Sequence, residues 1–342
     1  MRAVVLRQHG GPEVLSVEDV PELHAGPGEV RVRVAAVAMN HLDIWVRNGL
    51  PHLKLEYPFR LGADVAGTVD EVGAGVRGVA AGDEVVVNPG HSCGRCRECL
   101  SGRDNLCRFY RLMGEDISGG YGEQVVVPAQ NVVAKPKSIA FTDAAALPTT
   151  FLTAWQMLTR KAPVAPGDDV LVIAAGSGVG VAAVQIAKLH GARVIATASS
   201  DDKLARAKAL GADETINHRT QDLVAEVKRL TGKKGADIIF EHVGAEVWPK
   251  LILAAARNGR IVTCGATSGF DARTDLRHVF FRQLAILGST MGPKGDLFPI
   301  LDHVVAGRLR PVVDKIMPLA DAQAAHRLLQ DRAVFGKIVL VP

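Results

Sequence analysis

Four cysteines fall within one short stretch. Cys93, Cys96, Cys99 and Cys107 give the spacing C-x2-C-x2-C-x7-C. Four soft thiolates this close in sequence can converge tetrahedrally on a zinc ion. An iron–sulfur cluster is the rival occupant. Because all four ligands come from protein, a zinc held here is closed off and structural. The fifth cysteine, Cys264, stands alone. A secreted disulfide framework would spread its cysteines, so a reducing cytoplasm is the expected compartment.

A second constellation is rich in glycine. An apolar run over 169–174 leads into Ala175-Gly176-Ser177-Gly178-Val179-Gly180, with a helical pattern over 179–189. Glycines at a strand-to-helix turn let the backbone approach a pyrophosphate, and the helix N–H groups and dipole favour the anion. Gly176, Ser177, Gly178, Val179 and Gly180 are therefore the expected dinucleotide turn. A plain strand–helix turn is the bland alternative, but the strand before, the helix after and a second strand at 193–197 argue against it.

The end of that second strand should discriminate between the two nicotinamide cofactors. NAD enzymes place an Asp or Glu there for the adenine ribose. This chain has Ala198, then Ser199, Ser200 and, after Asp201 and Asp202, Lys203. Small hydroxyls with Lys203, and Arg219 after the third strand, suit the 2′-phosphate of NADPH. The other reading is that the serines cap the next helix and Lys203 is solvated. NADPH is the expected cofactor, ahead of NADH.

Two kinds of element must hold these groups. Residues 1 to about 135 are short β-type runs (29–37, 66–72, 83–88, 122–128) broken by Gly and Pro, which predicts a small, mainly antiparallel barrel. From about 140 the texture changes. Thr142 is placed to cap a helix through 144–147, and another helix covers 152–158. Apolar strands then alternate with helices: 169–174, 179–189, 193–197, 201–210, 214–216, 223–231, 238–241, 248–256, 260–264 and 284–289. That alternation predicts a parallel sheet covered on both faces. Helices at 297–306 and 320–329 and a last strand at 336–341 close the chain, the strand returning to the first domain.

Length and composition agree with two domains. The chain has 342 residues, 48% hydrophobic and 22% charged, with a net charge of only +4. No basic block or aromatic–basic cluster calls for nucleic acid, and none calls for an anionic membrane. The apolar stretch 170–187 is interrupted by glycines and reads as strand, turn and buried helix rather than a membrane span. The N-terminus lacks the apolar core and cleavage site of a signal peptide.

A cysteine lobe inserted in a barrel, followed by this nucleotide-binding pattern, resembles the zinc-type medium-chain dehydrogenases over nearly the whole chain. That context favours zinc over iron–sulfur. The resemblance implies an α/β protein: a GroES-like, mainly-β catalytic domain at 1–148 and 294–342 with the zinc lobe at 91–108, and a doubly wound Rossmann domain at 149–293. Alcohol dehydrogenases of this family bind a second, catalytic zinc through Cys, His and Cys. The matching positions here are Asn40, Ala63 (in Gly62-Ala63-Asp64) and Thr149, so all three ligands are gone.

This loss bears on the chemistry. Oxidising an alcohol needs an alkoxide, and zinc lowers the pKa of a bound water from about 15.7 to about 7. Hydride addition to a conjugated C=C yields an enolate, which hydrogen-bond donors can hold. Asn40-x-x-Asp43 resembles the zinc-independent quinone and enone reductases of the superfamily, although those usually carry Tyr where this chain has Trp45. By resemblance, Asn40 and Asp43 shape the pocket and Thr149 contacts the nicotinamide side. His41 is either a proton donor or oxyanion partner, or an exposed loop residue. Gly265, Ala266 and Thr267 lie along the nicotinamide half. Lys337 is on a strand near the cofactor, or is a solvated surface charge.

The expected function is NADPH-dependent reduction of a small carbonyl or quinone substrate at an activated C=C, in a homodimer or homotetramer. Two alternatives stand beside it. One is an alcohol dehydrogenase that holds zinc through His41, Asp43 and Asp64. The other is a non-enzymatic NADPH-binding protein.

Overall fold

The structure, a computed structural model, describes residues 1–51 and 53–342. The chain forms two compact units, Met1–Thr149 with Pro293–Pro342, and Thr150–Gly292.

The first unit is built on a seven-stranded, largely antiparallel sheet. Its central strand, Glu29–Ala38, alternates Val30, Val32 and Val34 inward with charged residues outward, the period of a half-buried strand. That strand pairs with Asp64–Val72, Gln124–Pro128 and Lys337–Val341. The sheet encloses one core of Val, Leu, Ile and Met. Register explains how distant residues meet. Ala38 lies opposite Asp64 on one side and opposite Val339 on the other. Continued two residues on, the second ladder brings Asn40 to Lys337.

The helix His41–Asn48, which follows the central strand, was not anticipated from the sequence. Asn40 is its N-cap, and the Asp43 side chain returns to the Asn40 backbone N–H as a capping box. The fully buried Arg47 anchors the helix, donating to the Gly10 carbonyl (3.0 Å), His326 Nδ1 (2.8 Å) and Gln330 Oε1 (3.1 Å).

The second unit is a six-stranded parallel sheet with helices between successive strands. In spatial order its strands are Glu214–Asn217, Arg193–Ala198, Asp169–Val172, Ala236–Glu241, Ala255–Thr263 and Ala285–Gly288. Val170, Leu171 and Val172 are fully buried, as strands covered on both faces require. The order reverses at Asp169–Val172, where parallel α/β sheets open a crevice at their carboxyl ends.

Some boundaries differ from expectation. Thr142 lies inside the helix Phe141–Ala145, and Ala140 occupies the N-cap. The helix expected over 248–256 stops at Ala254, and Ala255–Thr263 is strand. Ladder pairing of Ala255 with Ala236 overrides the helical preference of alanine. Among the described residues no helix is long and apolar enough to cross a membrane.

Candidate active site

The dinucleotide turn is built by the strand Asp169–Val172 and the helix Gly178–Leu189. Ser177 caps that helix, its Oγ accepting the Gly180 N–H at 2.9 Å. The first N–H groups of a helix have no carbonyl of their own to bond. With Gly180 taken by Ser177, those of Gly178 and Val179 are left to meet an anion. A Cβ on Gly180 would lie 2.5 Å from the Ala174 carbonyl oxygen. Only glycine there lets helix and strand approach this closely. His242 Nε2 lies 3.1 Å from Ser177 Oγ and 3.1 Å from the Ile173 carbonyl, bracing the turn from the neighbouring strand.

The second strand ends at Ala198, and the buried side chain there carries no charge. Ser200 is the N-cap of the helix Asp201–Ala209, its Oγ accepting the Lys203 N–H at 3.4 Å. The capping role of this serine is therefore real. Asp201 is drawn aside by Asn217, which donates to it at 2.8 Å. Ser199 and Lys203 are half-buried and Arg219 is exposed. Replacing Lys203 with alanine is expected to weaken NADPH by roughly tenfold, the worth of one charge-assisted hydrogen bond. NADH affinity should hardly move. Equal weakening of both in a binding titration, or a wild-type preference for NADH, would contradict the assignment.

Gly265, Ala266 and Thr267 follow the fifth strand of this sheet. Thr267 Oγ1 lies 3.4 Å from the His242 and Val243 carbonyls. Sequence reasoning missed the buried Glu241 beside them. Its carboxylate accepts the Val243 and Gly244 N–H groups, and burial pushes its pKa up. An acid at a strand end, three residues before Gly244, was the available signal.

In the first unit, the buried Asn40, Asp64 and Lys337 form one hydrogen-bonded network with the half-buried Thr149. Asn40 Nδ2 donates to Asp64 Oδ2 at 2.9 Å. Thr149 donates to Asp64 Oδ1 twice, from its N–H at 2.8 Å and its hydroxyl at 2.6 Å. Lys337 Nζ donates to Asn40 Oδ1 at 2.5 Å and to Asp64 Oδ2 at 3.1 Å. Lys337 is only 3% exposed, so it is not a surface charge. Asp43 holds the frame from behind, accepting the Asn40 N–H at 2.7 Å and the Gly62 N–H at 2.9 Å. Burial pushes the Asp43 carboxyl up to about 6, against those two bonds and the Lys337 charge, which pull it down.

His41 stands apart from the hydrogen bonds just described. It is half-buried on the first turn of its helix, edge-on to Trp45 at 5.2 Å, and burial lowers its pKa. His41, Asp43 and Asp64 are not gathered to share an ion. Among the described residues, the one group of His, Cys, Asp or Glu so gathered is Cys93, Cys96, Cys99 and Cys107.

Those four sulfurs lie within 4.8 Å of one another, with Cys96 and Cys99 at 3.4 Å and Cys93 and Cys99 at 3.9 Å. A tetrahedral zinc with Zn–S near 2.3 Å needs sulfurs about 3.8 Å apart, so the cluster fits that ion. The Arg95 N–H, aimed at Cys93, is the main reason its thiol falls to about 6. The Phe109 N–H donates to Cys107 Sγ at 3.4 Å. Backbone donors of this kind favour thiolates, the form a metal requires.

Comparison with known proteins agrees with this architecture. Residues 26–137 match the alcohol dehydrogenase GroES-like domain, and residues 178–306 match the zinc-binding dehydrogenase family. A crystal structure of an NAD-dependent alcohol dehydrogenase is 59% identical, with a TM-score of 0.97 and 100% of each chain covered. An NAD-dependent alcohol dehydrogenase of Sulfurisphaera tokodaii is 33% identical over 354 aligned positions, covering 100% of both. A 2-haloacrylate reductase of a Burkholderia species is 32% identical, covering 99% of this chain and 98% of the relative. The chain belongs to the medium-chain dehydrogenase/reductase superfamily, and it is an NAD(P)-dependent oxidoreductase with zinc-binding dehydrogenase domains.

Proposed function

We propose that this chain reduces a conjugated C=C bond of a quinone, enone or enoyl thioester, with NADPH as donor and no metal at the reacting centre. One observation carries the reading. Asn40 and Thr149, where a catalytic zinc would need cysteines, are both bonded to Asp64, and Asn40 and Asp64 both accept the buried Lys337 ammonium. The carboxylate of Asp64 is saturated by these donors, which leaves it poorly suited to a metal.

When bound, NADPH supplies a hydride to the β-carbon of the substrate. The π electrons of the C=C then move to the carbonyl oxygen as an enolate. Asn40, through the second hydrogen of its amide, and Lys337, through its positive charge, are the groups able to steady that oxygen. Asp64 holds both in place, and Asp43 holds Asn40. The α-carbon takes its proton from solvent or from His41.

Oxidation of an alcohol is the second reading, and two relatives named NAD-dependent alcohol dehydrogenases support it. The 2-haloacrylate reductase supports the first. The experiment is cofactor turnover with an enone and a primary alcohol, before and after stripping labile metal. Enone reduction that survives stripping is expected. Alcohol oxidation that disappears on stripping and returns with Zn2+, with no enone activity, would overturn the reading. Failure to consume cofactor with any of these substrates would leave neither reading standing.

The protein acts in the cytoplasm, where its thiolates stay reduced, and it works as a homodimer or homotetramer. The strand Ala285–Gly288 is the outer strand of its sheet, with Ile286 41% exposed. The preceding helix exposes Leu276, Phe280 and Phe281. An apolar edge invites two-fold pairing with a second copy. Light scattering at micromolar concentration should give a multiple of the chain mass, and a monomer would refute the assembly.

A further inference from the structure

The parallel sheet has two ends, and only the carboxyl end is used by the dinucleotide turn. At the amino end lies a cavity of about 530 Å³ whose lining includes Lys228, Lys233, Lys234, Arg257, Arg282 and Asp237. Asp237 and Ala236 open the fourth strand in spatial order, and that strand runs six residues to Glu241. Six residues of strand span roughly 20 Å, so the cavity is well removed from Gly176–Gly180.

The lining gathers five cations and one carboxylate, and Asp169 just outside it also faces Lys234, which leaves a net charge of +3 at the cluster. The single acid is already committed. Asp237 binds Lys234 at 2.7 Å, and Lys234 is also held by Asp169 at 2.8 Å. Lys228 and Lys233 have no ion-pair partner among the described residues. Arg257 stacks on Phe281 at 5.2 Å instead of meeting an acid. Arg282 donates to the Ala255 and Ile252 carbonyls at the end of a helix, and its Nε is buried with no partner among the described residues. Burial and the nearby Arg257 charge both act against the Arg282 cation. Like charges gathered with too little counter-charge destabilise the fold, and a bound anion would relieve that repulsion.

We propose that this cavity is a second ligand site, for a small molecule bearing clustered phosphates. The phosphates would sit among Lys228, Lys233 and Arg257, and Leu253, Ala255 and Ala256 offer an apolar floor for a compact organic body. A volume near 530 Å³ is that of an ordinary small-molecule site. The shared chemistry is the phosphate chain, whether inorganic or on a nucleotide.

The test is calorimetric titration of the full chain with its dinucleotide site saturated by cofactor. The probes are inorganic tripolyphosphate, ATP and adenosine. Tripolyphosphate and ATP should each bind once per chain, and added salt should weaken both. ATP binding more tightly than tripolyphosphate would identify the natural ligand as a nucleotide; equal binding would leave the phosphate chain as the whole determinant. The variants K228Q/K233Q and R257Q change exposed side chains. Each should weaken tripolyphosphate by about tenfold or more with cofactor affinity unchanged. The proposal is overturned by no binding above that of chloride at matched ionic strength, by equal binding to wild type and variants, or by adenosine or ATP binding where tripolyphosphate does not.

Discussion

Replacing Lys337 with methionine is expected to cost the protein both activity and roughly 3–5 kcal/mol of stability. The stability loss follows from burial. The side chains of Lys337 and Asp64 are 3% and 0% exposed. Methionine fills the volume but leaves Asp64 ionised without a cation, and an uncompensated buried charge is far more costly than a missing ion pair at the surface. The double variant D64N/K337M removes both charges and should regain most of the lost thermal stability. Activity should not return with it. If Lys337 supplies the positive charge that steadies the enolate, its removal lowers kcat on an enone by about 10²–10³-fold, the usual worth of one oxyanion donor. The conservative K337R should keep the charge, retain part of kcat and disturb stability less. A D64N/K337M protein that is both stable and fully active would show that the network is merely structural.

The second large effect is expected in the cysteine lobe. Its apolar residues do not form a core: Leu100 is 76% exposed, Leu106 52% and Phe109 55%. What holds 91–108 together is therefore the cluster of four sulfurs with the short helix Arg97–Leu100 and the 3-10 turn Asp104–Leu106. In zinc-finger peptides a structural zinc is worth about 10–16 kcal/mol, so loss of one ligand should loosen the whole segment. C96S is expected to drop the bound zinc from about one equivalent per chain to near zero and to open the lobe to proteases. C264S is the control, since Cys264 belongs to the other unit and should leave the zinc content unchanged. Iron in the purified protein, or full zinc occupancy in C96S, would overturn the lobe assignment.

Much of the fold is readable from residue order because its elements are strongly patterned. The inner strands Asp169–Val172, Arg193–Ala198 and Ala236–Glu241 are largely apolar runs, and the glycine turn sits between the first of them and its helix, so the α/β architecture and the superfamily both follow. Elements set by long-range pairing are harder to read. The alanines at 254–256 prefer helix, and only the ladder partner of Ala255 turns the chain into strand there. The helix His41–Asn48 carries its own signal, an Asn and an Asp three residues apart, but the same two residues also match a catalytic run and invite that reading first. The largest difference concerns Lys337. Lysines are mostly solvated, and nothing adjacent to Lys337 announces that Asn40 and Asp64 lie across the sheet from it. Their meeting depends on a register shared by strands hundreds of residues apart.

That separation has a consequence for how the protein is made. Asp64 and Lys337 are 273 positions apart, and the entire second unit, Thr150–Gly292, is spelled out between them. A ribosome adding about 5–20 residues per second takes roughly 14–55 s to travel from one to the other. During that interval the nucleotide-binding unit, being one continuous stretch, can finish its own sheet. The first unit cannot, because the strand Lys337–Val341 that pairs with its centre has not yet been synthesised. Until then the Asp64 carboxylate must stay hydrated, and the strand that carries it cannot settle fully into the core. The network that we assign to the chemistry is thus among the last parts of the molecule to assemble, and a chain released before residue 337 would carry a finished cofactor unit with an unfinished catalytic one.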